Sequence, residues 1–274
     1  MDPNTYIPKL AKITHIKEEV GGARPIKTFR TQFFENNNFS FKCGQCAMLS
    51  VFGKGESMIS ISSTPLIKDY LQFSILKMGR VTSSLHEKQV EDIIGIRGPY
   101  GNGFPVEKWK GKNLIFIGGG IGLAPIWSVL NTALGKKEDY GDLTLIYGAR
   151  TSKDLVFKEE LEELRKKMTV HLSVDVEEPD WKEFVGFVPQ NVLDKKPSPK
   201  NALAVTCGPP IMIKFVIKAL EDLGFKDEQI YTTVENKMKC GIGKCGKCNI
   251  GIHYVCQDGP VYSWAELKKL PQEY

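Results

Sequence analysis

The sequence predicts a three-part protein: an antiparallel β-barrel, then an α/β domain with a parallel sheet, then a small C-terminal segment organised by cysteines. Three observations carry this. Up to about Lys108, short apolar runs alternate with turn residues; from Asn113 the runs become continuous and alternate with helical stretches; and Cys240, Cys245, Cys248 and Cys256 crowd into one short glycine-rich stretch. The boundaries expected are 1–109, 110–228 and 229–274.

A chain of 274 residues has room for more than one core. Hydrophobic content of 42% and charged content of 25% are those of an ordinary globular protein. The net charge of +5 is mild, and lysines alternate with carboxylates, which reads as a solvated surface rather than a nucleic-acid site. The opening MDPNTYIPKL lacks the basic start and apolar run of a secretory leader, and no apolar stretch approaches the roughly 20 residues that span a bilayer. Seven cysteines in such a chain point to metal or redox chemistry in the cytoplasm rather than to disulfides.

In the first part, AKITHI, KTFRTQF, CAMLSVF, SMISIS, LQFSIL and DIIGIRG are short and rich in β-branched and aromatic residues, as barrel strands are. A short helix is expected over Thr82–Glu87, with Thr82, Ser83 and Ser84 available to cap it. Cys43-Gly-Gln-Cys46 has the spacing of a metal pair, but no further ligand lies nearby in sequence. A buried structural role is expected for both cysteines.

In the second part, LIFI, LTLIYGA, VHLSVDV and ALAVTCG read as strands buried on both faces. APIWSVLNTAL, DLVFKEELEELRKKM and IMIKFVIKALEDLG are the helices between them, giving βαβ units. LIFIGGGIGLAP passes from strand through Gly118, Gly119, Gly120 and Gly122 into a helix opening at Ala124-Pro125. Glycines there permit close approach of backbone to a pyrophosphate at a helix N-terminus, against the alternative of a packing role. Cys207-Gly208-Pro209-Pro210 ends another strand, on the ligand side of such sheets; a small buried cysteine before a turn is the plainer reading.

In the third part, four residues separate Cys240 from Cys245, two separate Cys245 from Cys248, and seven separate Cys248 from Cys256. The first two gaps match the C-x4-C-x2-C spacing of plant-type 2Fe-2S proteins, and the last is shorter than in them. Gly241, Gly243 and Gly246 let backbone N–H groups turn toward the sulfurs. The alternative is a structural zinc site, although zinc ribbons show two CxxC pairs and one is present here. The segment is too short for a core of its own and is expected to fold around what the cysteines hold.

Together these motifs resemble the ferredoxin–NADP reductase superfamily, in the branch with a C-terminal 2Fe-2S segment. That branch holds the gamma subunit of sulfhydrogenases, one of the subunits of anaerobic sulfite reductase and the electron-transfer subunit of dihydroorotate dehydrogenase. The resemblance spans essentially the whole chain and is most specific at MKCGIGKCGKCNIGIHYVCQDGPVY. It implies FAD on the barrel, NAD(P)H on the α/β domain and a 2Fe-2S cluster held by Cys240, Cys245, Cys248 and Cys256. The family's Arg-x-Tyr-Ser flavin motif falls on SMISISSTP, with Ser60 as its serine near flavin N5 and Ser57 and Ile59 in place of Arg and Tyr, a departure shared by the hydrogenase-type branch. The flavin contacts implied are Ser57, Met58, Ser60, Ile61 and Ser62, with Lys77, Gly79, Val81, Thr82 and Ser83 from KMGRVTSSL around the pyrophosphate. Gly118, Gly119, Gly120, Gly122, Ala124, Pro125, Arg150, Cys207, Gly208 and Pro209 would meet the nicotinamide nucleotide, and Glu235 would stand near the hydride path.

The activity implied is that of an electron-transfer subunit: hydride from NAD(P)H to flavin, single electrons to the cluster, then exchange with an iron–sulfur or catalytic redox subunit. The partner is a hydrogenase or sulfite reductase, with dihydroorotate dehydrogenase as the alternative. The reading from a different class is a zinc-stabilised nucleotide-binding module without redox function. Arg150, Ser152 and Lys153 could hold a 2′-phosphate, whereas Asp175, Glu177 and Glu178 would repel one, which favours NADH over NADPH.

Overall fold

The structure, a computed structural model, describes residues 4–34 and 39–271. Its first sheet is built from β1 (Lys9–Val20), β2 (Ile26–Phe33), β3 (Cys46–Val51), β4 (Gly55–Ser60), β5 (Leu71–Leu76) and β6 (Ile93–Tyr100). The order is β4-β3-β6-β1-β2-β5 with every pairing antiparallel, and the end strands β4 and β5 lie against each other. Alternate residues such as Ala11, Ile13, Phe29, Leu49, Phe73 and Ile75 fill its interior. All six strands stand where the apolar runs placed them.

Helix α1 (Arg80–His86) opens two residues earlier than the sequence suggested, with Gly79 as its N-cap. Thr82 is therefore inside the helix, at its third position. Its hydroxyl reaches back to accept from the N–H groups of Met78 at 3.0 Å and Gly79 at 2.8 Å. Ser83 and Ser84 lie deeper in the helix and do not cap it.

The second sheet contains β7 (Asn113–Gly119), β8 (Leu143–Ala149), β9 (Thr169–Val174), β10 (Phe184–Val185), β11 (Ala202–Cys207) and β12 (Ile230–Thr233). Its order is β10-β9-β8-β7-β11-β12, all parallel. Helices α2 (Leu123–Gly135) and α3 (Lys158–Arg165) cover one face, α4 (Val188–Lys195) and α5 (Pro210–Asp222) the other. Alternation along β7 shows the two cores: Leu114 and Phe116 pack with α2 and α3, Ile115 and Ile117 with α4 and α5. The sequence reading missed α4, whose VPQNVLDK buries only Val188, Asn191 and Val192, too few to show a helical period. It also started α3 too early. Leu155, Val156 and Phe157 are buried ahead of that helix, and Phe157, in a left-handed conformation, stacks on Trp127 of α2 at 4.3 Å.

The C-terminal part carries β13 (Asn249–Ile250), β14 (His253–Tyr254), α6 (Val255–Asp258), β15 (Val261–Ser263) and α7 (Trp264–Leu267). The expectation that it lacks a core is corrected here. Val234, Cys248, Ile250, Val255, Cys256 and Tyr262 form a small apolar cluster, and β15 pairs antiparallel with β12, extending the second sheet by one strand.

Barrel and α/β part are clasped along β1. The Lys17 ammonium reaches Glu159 at 3.1 Å and Glu160 at 2.8 Å, and Glu19 Oε2 accepts from the Phe157 N–H at 3.0 Å. Burial raises the Glu19 pKa above the usual carboxylate value, opposed by hydrogen bonds from Thr28 and the Phe157 N–H, and its Oε1 is buried without a hydrogen bond. A raised folded-state pKa means that the neutral acid is the form favoured by folding. The stability this gives is present below the ordinary carboxylate pKa and is lost as pH rises through the folded value. Glu19→Gln, a permanently neutral isostere, should therefore melt higher than wild type at pH 8, by roughly 2–4 °C for each kcal/mol recovered. The two should melt together at pH 4. Thermal melts at both pH values check this.

Candidate functional site

The carboxyl ends of β7 and β11 lie side by side, with Gly118 paired to Cys207. From β7 the chain makes a single 3-10 turn, Gly120–Gly122, before α2 opens with Gly122 as its N-cap. Ala124 and Pro125 sit buried in the first turn of α2, and Pro209 caps α5 at the neighbouring edge. Two helix N-termini thus share one crevice, each presenting the positive end of its dipole, which suits a pyrophosphate. Gly122 is where the loops touch: a Cβ there would lie 2.5 Å from the Cys207 carbonyl oxygen and 2.5 Å from Gly208 Cα. Both neighbours are backbone and cannot turn aside.

On the barrel side, β4 runs from Gly55, beside α1, to Ser60, beside Cys46. Ser60 Oγ stands 3.7 Å from Cys46 Sγ. These residues form one wall of a cleft of about 160 Å³, lined also by Met58, Pro125, Thr233 and Glu235. Barrel, α2 and the approach to the cysteine loop therefore meet at one place. Cys207 sits just behind it, 3% exposed, its sulfur accepting from the Thr233 hydroxyl at 2.9 Å. Burial pushes the Cys207 thiol up to about 12 and the Cys46 thiol up to about 11, so both stay protonated and unreactive at neutral pH. Cys43, also buried, donates to the Thr132 hydroxyl at 3.2 Å.

Ile61 and Ser62, expected at the flavin, are fully buried, and their N–H groups are taken by the carbonyls of Gln45 at 3.1 Å and Gln72 at 2.8 Å. The next residues bolt the barrel to α2: the Ser128 hydroxyl donates to the Ser63 carbonyl at 2.7 Å, and the Thr64 and Thr132 hydroxyls are 2.8 Å apart. Lys77, Gly79, Val81, Thr82 and Ser83 gather at the far end of β4, roughly 17 Å from Ser60 at 3.3 Å per residue. Ser57 stands where the family's flavin motif has its arginine. The structure sets Arg80, exposed at the first position of α1, beside Gly55; the arginine in KMGRVT was the available signal.

In the cysteine loop, Cys240 Sγ accepts N–H groups from Ile242 at 3.5 Å, Lys244 at 3.3 Å and Cys245 at 3.4 Å, and Cys256 Sγ accepts one from Gly243 at 3.3 Å. Desolvation opposes ionisation of Cys240, but those N–H groups outweigh it and bring the thiol down to about 6. Burial, together with the neighbouring sulfurs, pushes Cys256 up to about 12. Cys248 and Cys256 are buried and Cys245 is exposed. Gly241 and Gly243 both have positive φ, and a side chain at either would strike the Tyr100 ring or the Gln257 amide. Among the described residues no three side chains close into a cage for a single ion. A two-iron cluster spreads its thiolates wider than one ion does, and N–H groups aimed at sulfur are what a thiolate-bound cluster uses. The loop fits such a group.

Two residues that the sequence reading missed hold this loop to the barrel. The buried Arg97 guanidinium donates to the Cys240 carbonyl at 2.7 Å, to the Tyr100 hydroxyl at 2.8 Å and to Glu56 at 2.7 Å. The Asn102 amide donates to the carbonyls of Asp258 at 2.8 Å and Val261 at 2.7 Å. Both lie in IRGPYGN, which reads from sequence only as a strand and its turn.

Gly122→Ala tests the crevice. Forcing a methyl between the two loops should weaken nicotinamide-nucleotide binding roughly tenfold, within the 1–3 kcal/mol that overpacking costs. Bound flavin and iron content should be unchanged. Fluorescence titration with the nucleotide, beside visible spectra, reads both.

Comparison with known proteins agrees with this geometry. A family model described as "Oxidoreductase NAD-binding domain" matches residues 116–218, and one described as "Iron-sulfur cluster binding domain of dihydroorotate dehydrogenase B" matches residues 235–268. Sulfhydrogenase 1 subunit gamma of Pyrococcus furiosus is 41% identical over 241 residues, covering 85% of this chain and 82% of that protein. A probable dihydroorotate dehydrogenase B (NAD(+)), electron transfer subunit, of Methanocaldococcus jannaschii is 34% identical over 266 residues, 96% of this chain and 93% of that one. Among solved structures, a chain of the NADH-dependent reduced ferredoxin-NADP oxidoreductase superposes with a TM-score of 0.74 at 21% identity, over 99% of this chain and 95% of that one, which shows the shared fold. This chain belongs to the family of electron-transfer proteins that includes sulfhydrogenase gamma subunits and the electron transfer subunits of dihydroorotate dehydrogenase B.

Proposed function

We propose that this chain passes electrons between NAD(P)H and a partner redox subunit of the hydrogenase or sulfite reductase type, using FAD and a 2Fe-2S cluster. The observation that carries it is the cleft where Ser60 of β4, Pro125 of α2 and Glu235, five residues before the first loop cysteine, face one another. A flavin supplies the exchange between two-electron hydride and single-electron chemistry, and a cluster takes electrons singly. The chain's own part is to hold these groups. Residues 1–109 would seat the flavin along β4, with Met58 and Ser60 at the ring end and Lys77, Gly79, Arg80 and the turn ordered by Thr82 at the phosphate end. Residues 110–228 would seat the nucleotide on Gly118–Gly122 and Cys207–Pro209. Residues 229–274 would hold the cluster through Cys240, Cys245, Cys248 and Cys256.

Thr233, its hydroxyl donating to the buried Cys207 sulfur behind it, lines the cleft where the nicotinamide would lie, and Glu235 is the charged group on the cleft. The second reading, service to a dihydroorotate dehydrogenase, is favoured by the family model over the cysteine segment. Co-purification of the native complex separates the two. A cytoplasmic location is part of the proposal: none of the described cysteines is in a disulfide, as a reducing compartment keeps them. No helix among the described residues is long and apolar enough to cross a membrane.

Cys245→Ser should lose the cluster while keeping flavin, because the flavin groups lie in the barrel. Iron content and EPR of the reduced protein measure this. Unchanged iron and EPR would place the ligands elsewhere, and wild-type protein holding zinc in place of iron would return the zinc-module reading.

Nucleotide choice turns on the loop after β8. The Ser152 N–H is accepted by the Glu178 carboxylate at 3.2 Å, which occupies a donor that a 2′-phosphate would use. Burial raises the Asp175 pKa and the nearby Arg150 charge counters it, so that arginine already faces a carboxylate. NADH is therefore the preferred donor in this proposal. Glu178→Gln removes about 1 kcal/mol of repulsion and should raise kcat/KM for NADPH roughly fivefold, with NADH little changed. Steady-state kinetics with an artificial acceptor checks it.

A further inference from the structure

From Asn236 to Gln257 the chain carries Lys237, Lys239, Lys244 and Lys247 and no carboxylate, in a protein with 32 Asp and Glu among 274 residues. The structure exposes all four lysines, and no ion pair or hydrogen bond involves their ammonium groups among the described residues. Their backbone, by contrast, is fixed. The Lys239 carbonyl accepts from Arg97 at 3.5 Å, the Lys237 N–H meets Asn236 Oδ1 at 2.8 Å, and the Lys244 N–H meets Cys240 Sγ at 3.3 Å. The charges are thus carried on a loop tied to Arg97 and to the Cys240 sulfur, and are left free to meet something outside it.

That same loop turns one cysteine outward. Cys248 and Cys256 are buried, while Cys245 and Gly246 are exposed, and nothing lies within 4 Å of where a Gly246 Cβ would be. Ile252, 90% exposed, sits between β13 and β14 of the same segment. The flanking carboxylates do not neutralise this face. Asp258 is engaged by the Tyr254 N–H at 2.6 Å and lies 3.9 Å from His253, and Glu235 belongs to the cleft.

We infer that the face around Cys245, ringed by Lys237, Lys239, Lys244 and Lys247, is the docking surface for a redox protein that carries an acidic rim around its own electron-accepting or electron-donating centre. The inference rests on the proposed cluster and adds the chemistry of the partner. Charge complementarity selects that occupant. Free ammonium groups around an exposed edge steer an acidic surface into place, and bare backbone at Gly246 allows the closest approach of the second centre.

The test compares Lys244→Glu/Lys247→Glu with a control of equal net charge, Lys214→Glu/Lys218→Glu on α5, whose lysines are exposed and take part in no ion pair among the described residues. Iron content and visible spectra first establish that each protein holds its cluster. On immobilised poly-L-glutamate the loop variant should elute at clearly lower salt than the control. Equal elution would overturn the inference. Chemically reduced protein is then mixed with ferricyanide or hexaammineruthenium(III), each taking one electron from the cluster to become ferrocyanide or hexaammineruthenium(II). The ratio of the two rates should swing roughly tenfold or more toward the cation in the loop variant and stay put in the control. An unchanged ratio would also overturn it, as would loop-lysine-dependent pelleting with phosphatidylglycerol vesicles, which would make the face a membrane contact. Wild-type protein without a cluster would overturn the functional proposal instead, and retention on poly-L-glutamate would still decide the surface.

Discussion

The arrangement depends on one buried cation. Arg97 stands 5% exposed on the barrel, paired with Glu56, and it spends a further donor on the carbonyl of Cys240. Glu56 is itself held by the Ser50 hydroxyl at 2.7 Å and is the residue before Ser57 on β4. The pairing lowers the Glu56 pKa and raises that of Arg97, so both remain charged across the physiological range. Glu56 is 33% exposed, so removing it would cost less than the roughly 3–5 kcal/mol of a fully buried pair, but it would leave the buried guanidinium without its counter-charge. The strand that lines the cleft and the loop that carries the first cysteine are thereby held as one piece.

A second constraint works from the opposite side. Helix α2 presents its N-terminus to the crevice, and its middle is fastened to the barrel through the Ser128 hydroxyl on the Ser63 carbonyl and the Thr132 hydroxyl on that of Thr64. The crevice therefore cannot shift relative to Ser60 without breaking buried hydrogen bonds, each worth about 1 kcal/mol net and more when a partner is stranded. Electron transfer needs fixed separations more than it needs moving parts. Here the same hydroxyls that complete the interface also set those separations.

Sequence and structure agree wherever the signal is a run of side chains. Six barrel strands, four strands of the second sheet and three of its helices follow from apolar patterning alone, because each buries a continuous apolar run. The glycine turn was legible for a related reason: no other residue fits between two backbones at Gly122. What escaped was long-range and polar. Arg97 and Asn102 lie 143 and 159 residues from partners they hold, Cys240 and Val261, and nothing local in IRGPYGN marks them as anchors. Helix α4 and the short strands of the tail escaped because their few buried residues pack against elements distant in sequence. The tail's attachment through β15 escaped for the same reason, since a three-residue strand becomes one only when β12 is beside it.

The loop's environment combines effects of opposite sign, and their balance explains its asymmetry. Arg97 and the N–H groups on Cys240 favour negative charge at that end, whereas Cys248 and Cys256 lie in an apolar cluster with Val234, Ile250 and Val255 that disfavours it. Hydrogen bonds to sulfur and nearby positive charge raise the reduction potential of a thiolate-bound centre, and apolar burial lowers it. The exposed end at Cys245 is then the edge at which added charge is best screened by water and by the lysines. The Cys240 end is the one that Arg97 ties to the barrel. Such a gradient within a single loop gives the electron an inner side and an outer side, and the outer side is the one the basic face surrounds.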